Sequence, residues 1–198
     1  LNIIGREETP NPAAVKFILD GPVIASGTLS LTTGEDEEDE YRGDNQTAIA
    51  LFKLGAQEVF FFKNSVSITM FSEKAWEFFM EDVIEALESN LIPPGEEPPP
   101  EEKKKSFLDD FDKEGFPGLP ETEKLSVIES LMDEIIRPAL ANDGGGLEIS
   151  NFESNIVEIK YQGACGTCPS SSGATHSAIQ RALKSYLDPQ LSVSIKRG

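Results

Sequence analysis

Proline fits neither the interior of a helix nor a central strand, so a run of it divides a chain. Six of the thirteen prolines lie between Pro93 and Pro117, among them Pro93-Pro94 and Pro98-Pro99-Pro100, interleaved with Glu96, Glu97, Glu101, Glu102 and Lys103-Lys104-Lys105. Such a stretch buries too little apolar surface to offset its ordering entropy, and it predicts an extended, mobile linker over 93–120. The 198 residues are thereby split into two modules, 1–92 and 121–198, each the size of a small domain. Within the linker Phe107, Leu108, Phe111 and Phe116 stand out as apolar. They read as a segment packing loosely on one domain, with a short docking element as the other reading.

Charge narrows the partners. With 17 Lys and Arg against 35 Asp and Glu, the net charge is −18 and the pI is near 4.4. Nucleic acid and anionic membrane surfaces repel such a chain, so neither is expected as its main partner. The first module carries 6 basic and 17 acidic side chains, a net of −11, and the second 7 and 10, a net of −3. Part of the difference is the run Glu35–Glu40, which reads as a solvated loop or as a handle for a basic partner. No apolar run approaches the roughly 18 residues that cross a bilayer. The start, Leu1-Asn2-Ile3-Ile4-Gly5, shows no targeting pattern. A cytoplasmic protein is expected, with a processed form in the mitochondrial matrix as the alternative.

Periodicity in the first module gives strand, strand, helix, strand, strand, helix. Val15–Leu19 and Val23–Leu31 read as strands around Asp20-Gly21-Pro22, Thr47–Leu54 as a short helix, and Glu73–Leu91 as a longer one with Trp76, Phe79, Val83 and Leu87 at helical spacing. Between them Glu58–Lys63 and Ser65–Phe71 form a hairpin across Asn64. Ser65, Ser67 and Thr69 alternate with Val66, Ile68 and Met70, the pattern of a sheet with one wet face. Val59, Phe60, Phe61 and Phe62 instead place apolar rings on both faces, which calls for a neighbouring element over the second face or leaves an exposed patch for a partner. Nothing in this module reads as catalytic.

The second module reads as helix, strand, strand, helix, strand. Glu121–Ala141 is an amphipathic helix kinked or tightened near Pro138 and stopped by Asp143-Gly144-Gly145-Gly146. Leu147–Phe152 and Ile156–Tyr161 make a hairpin, Ser170–Leu187 a helix and Leu191–Lys196 a last strand. The fold class expected is α/β of the α+β kind: two small two-layer domains on a flexible Pro/Glu-rich tether, the second α-β-β-α-β.

The chemistry concentrates in Gly163-Ala164-Cys165-Gly166-Thr167-Cys168-Pro169-Ser170, which holds both cysteines of the chain. A single C-x-x-C excludes a multi-disulfide scaffold and suits a reducing compartment. Pro169 fits the first turn of the following helix, placing Cys168 at a helix N-terminus that favours a thiolate. The loop reads as lying near the surface and readily reached. Three chemistries compete. Thiol–disulfide exchange of the thioredoxin kind normally follows the first strand of a βαβ unit, whereas this motif lies late in its module. Structural zinc needs four protein ligands, and the lone His176 stands eight residues past Cys168, roughly 12 Å along the helix. It reads as an exposed or half-buried helix residue. A cluster shared between two chains would gain four thiolates, the complement of an iron–sulfur centre. Ligand counting favours this third option.

At this point Ile135-Ile136-Arg137-Pro138-Ala139-Leu140, Asp143-Gly144-Gly145 and Gly163 to Ser171 together resemble the NifU C-terminal-like domain. Thr9-Pro10-Asn11-Pro12, Lys16-Phe17, Gly21-Pro22-Val23, Val59-Phe60-Phe61 and Ser67-Ile68-Thr69 resemble the N-terminal domain of Nfu proteins. Two departures are Gly146, where the family usually has Asp, and the acidic run at 35–40. The resemblance implies a non-enzymatic carrier that receives a [4Fe–4S] cluster from an upstream donor and passes it to apo-proteins. It implies Cys165 and Cys168 as ligands, a homodimer when loaded, and a partner-recognition role for residues 1–92. A dithiol oxidoreductase using the same two cysteines is the alternative.

Overall fold

The computed structural model describes residues 1–25, 27–33, 41, 43–94, 111–165 and 171–196. The acidic run at 35–40, Phe107 and Leu108, and most of the Pro/Glu-rich stretch lie outside the described residues.

The first domain is a five-stranded antiparallel sheet in the order β1-β2-β5-β4-β3, with two helices on one face. Its strands are β1 (Ile3–Glu8), β2 (Ala14–Leu19), β3 (Thr28–Thr32), β4 (Ala56–Phe62) and β5 (Ser65–Met70). Its helices are α1 (Gln46–Lys53) and α2 (Ala75–Asn90). Phe17 and Leu19 of β2, Val59 and Phe61 of β4 and Val66 and Ile68 of β5 meet Leu51, Val83 and Leu87 of the helices in one core. Asn45 caps α1, its Oδ1 accepting from the Ala48 amide at 2.9 Å.

Two sequence expectations change here. β1 was not anticipated: its Arg6, Glu7 and Glu8 hide the strand pattern, as charges on an edge strand do. The strand expected at Val23–Leu31 is shorter and later, at β3, and pairs with β4 at the opposite edge of the sheet from β1.

The second domain packs three helical segments against the sheet β6-β7-β8. These strands are β6 (Gly145–Glu153), β7 (Ile156–Gly163) and β8 (Ser192–Ile195), with β6/β7 antiparallel and β7/β8 parallel. Ser154 and Asn155 both adopt positive φ in the β6–β7 turn, at 53° and 62°, the twist a tight hairpin needs. The helices are α3 (Glu121–Leu131), α4 (Arg137–Asn142) and α5 (Ser171–Tyr186). Between α3 and α4 the chain widens into a π turn, Met132–Ile136. Pro138 therefore loosens the helix ahead of it rather than tightening it, because its ring and missing N–H displace the regular bonding one turn earlier.

Residues 111–120, the end of the stretch read as linker, take part in this packing. A 3₁₀ turn at Phe116–Gly118 delivers Phe116, fully buried, into the core formed by Ile128, Leu131, Leu147, Val157, Ile179 and Leu183, with Phe111 edge-on to it.

Candidate functional site at the base of the cysteine loop

Three glycines shape the corner that presents the cysteines. After α4 the chain turns through Gly144, at φ +79°, into β6; β7 ends at Gly163, at φ +64°, paired with Gly145. Glycine occupies that left-handed region without the steric cost a Cβ brings. The Ala164 amide donates to the Gly144 carbonyl at 3.1 Å, closing the corner, and Cys165 follows. A Cβ on Gly145 would stand 2.5 Å from Cys165 Sγ and 2.9 Å from its amide nitrogen, so Gly145 is the cradle that lets the thiol lie against the β6 backbone.

Cys165 is 8% exposed and belongs to the second domain's core. The expectation of a readily reached site is corrected for this cysteine: it lies against Gly145, and the residues before it are held from the first domain. Cys168, Pro169 and Ser170 lie outside the described residues. The loop that contains them joins β7 to α5, and β8 returns parallel to β7. Locally this is a strand–loop–helix–strand unit, so the topological argument against thiol–disulfide exchange does not hold.

His176 is a half-buried helix residue, as expected, and its Nε2 donates to the Val193 carbonyl at 3.0 Å, which ties α5 to β8. Among the described residues no three His, Cys, Asp or Glu side chains are grouped to hold a metal. Tyr161 lies two residues before Gly163. Burial, and then the neighbouring Cys165 charge, push its phenol up to about 12, and its hydroxyl has no hydrogen-bond partner among the described residues.

The first domain contributes residues to which the sequence analysis assigns no role at this site. The Gly163 N–H donates to the Glu58 carboxylate, which also accepts from Ser30 Oγ. Asn11 Nδ2 donates to the Ala164 carbonyl at 3.1 Å, and Lys16 Nζ to the Asn142 carbonyl at 3.0 Å. Burial raises the Glu58 carboxyl above its ordinary value, more than its two hydrogen bonds lower it. Ser67 and Thr69, read as a wet face, are only 2% and 1% exposed, because the second domain covers that face of the sheet. The signal was Phe60, a large ring beside Ser67 on the same face; a neighbour does cover it, as one of the two sequence readings required.

Comparison with known proteins follows the same division. Residues 4–92 match the family described as scaffold protein Nfu/NifU N terminal, and residues 128–194 match the NifU-like domain. The human mitochondrial protein named NFU1 iron-sulfur cluster scaffold homolog is 30% identical over 189 residues, which cover 93% of this chain and 68% of that protein. The chain belongs to the Nfu family. NifU-like protein 5, mitochondrial, of Arabidopsis thaliana is 27% identical over 187 residues, 93% of this Nfu chain and 64% of that protein. The nitrogen fixation protein NifU of Anabaena sp. (strain L31) is 39% identical over 75 residues, 38% of the Nfu chain and 67% of its own length. The Nfu chain thus spans about two thirds of the curated relatives it matches.

Proposed function

We propose that this chain is a carrier that takes an iron–sulfur cluster as cargo, holds it between two copies of itself and releases it to apo-proteins. Cys165 and Cys168 of each copy would supply the four thiolates of a [4Fe–4S] cluster. The observation that carries the reading is the Gly145 cradle beneath Cys165, in the domain that matches the NifU-like family. Relatives named as iron–sulfur cluster scaffolds support it.

Transfer is ligand exchange. A client thiolate forms a bond to one iron while a carrier thiolate leaves it, with no change in oxidation state, and the steps repeat until the cluster has moved. A shared site suits release, since each copy holds only half of the ligands. No substrate is converted, so the protein is a carrier and not an enzyme. Residues 1–92 would select the client and meet the upstream donor, and the relatives named as mitochondrial favour a matrix location over the cytoplasm.

Anaerobic incubation with ferric iron, a thiol reductant and sulfide tests this. A carrier turns brown with about two irons per chain, loses both colour and iron in Cys165→Ser and in Cys168→Ser, and passes the cluster to an apo-ferredoxin. Colourless protein that instead reduces disulfides overturns the reading in favour of a dithiol oxidoreductase, and a colourless dimer sensitive to chelators overturns it in favour of zinc.

A further inference from the structure

The sheet of the first domain is buried on both faces, and only one of them meets its own helices. On the other, Lys16, Ser67 and Phe60 lie side by side across β2, β5 and β4, with Thr69 and Glu58 in the adjacent row. This face sits on the glycine corner of the cysteine loop. Asn11, Lys16 and Glu58 hold Ala164, Asn142 and Gly163, each by the backbone. Phe60 belongs to neither core; its ring fills the gap between the domains. A Cβ on Gly146 would stand 3.0 Å from the Phe60 ring, one on Gly163 2.9 Å from it, and one on Gly144 2.7 Å from Ser67 Oγ. The three glycines are what let the two domains close to this distance.

We infer that this face of the first domain is a reversible cover for the glycine corner that leads into Cys165, and that a second copy of the chain can share a cluster only after the cover has undocked. Docked, it pins the two residues that precede Cys165 and keeps that thiol from a partner's loop. Among the described residues its grip is three polar contacts around one ring, and an interface this polar within one chain is of the kind that opens. The consequence for cluster sharing rests on the carrier reading; the cover itself does not.

The test uses the full apo chain, reduced and without iron. Cys165 is alkylated with iodoacetamide, its rate read by peptide fragmentation and normalised to the urea-unfolded chain. Phe60→Ser and Gly146→Asp disturb the interface from opposite sides without touching a core. Each is expected to raise the Cys165 rate roughly tenfold or more. Wild-type rates in both, with unchanged circular dichroism, overturn the cover. Wild type supplies a check that needs no variant: the Gly163 amide, bonded across the interface, is expected to resist hydrogen exchange, and unprotected exchange there overturns the cover equally. Iron enters neither measurement. A chain that refuses the cluster leaves the cover standing, and one that binds it with Cys165 unprotected loses the cover alone.

Discussion

Glu58 is a carboxylate set under a backbone amide, and its two possible replacements separate charge from hydrogen bonding. Glu58→Ala leaves the Gly163 N–H without an acceptor and is expected to lower the opening free energy at that amide by about 1–3 kcal/mol in hydrogen exchange. Glu58→Gln keeps an acceptor and sheds the desolvation that holds the wild-type carboxyl above 4.5. The sign follows from linkage. A group with a raised folded value binds more protons when docked, so docking weakens as pH rises from 4.5 through that value and is level above it. Wild type is expected to show this slope in Gly163 exchange and Glu58→Gln to lack it; matching slopes contradict the assignment. On the second domain's side, Gly145→Ala puts a methyl group where Cys165 Sγ lies. Reconstituted iron is expected to fall several-fold while the thermal transition stays cooperative, and undiminished loading contradicts the cradle.

The regular elements were legible wherever one face of them is apolar and the other meets water. α2, α5 and the β6–β7 hairpin announce themselves by spacing, and their ends fall within two residues or so of expectation. β1 escaped because Arg6, Glu7 and Glu8 on an edge strand carry no burial signal. The π turn escaped because Pro138 announces a break but not its form. That turn has a stabiliser of its own. Arg137 reaches Leu147 O at 3.2 Å and both Asp133 and Glu129 at 2.7 Å, bracing the interrupted helix against β6 just beyond the glycine corner. Burial lowers its affinity for a proton, yet the two carboxylates outweigh that and raise it. Arg137→Ala is expected to lower stability by about 1–3 kcal/mol in urea denaturation. A change within error shows that the π turn stands without the clamp.

At the scale of the whole molecule, the proline-rich stretch separates two independent sheets, one on each side of it. The contact between the domains was legible only in Phe60, a ring on an otherwise polar face; strand alternation alone reports only that a face is polar. Ser65, Ser67 and Thr69 look the same in sequence whether water or another domain lies over them. Phe116 shows the converse, a residue from a linker-like composition that completes a core. Native mass spectrometry of the anaerobically reconstituted chain weighs copies and iron together. Two chains with one four-iron cluster are expected, reverting to apo monomers when a chelator removes the iron. A loaded monomer, or a dimer whose mass includes no iron and sulfide, contradicts a cluster held between copies.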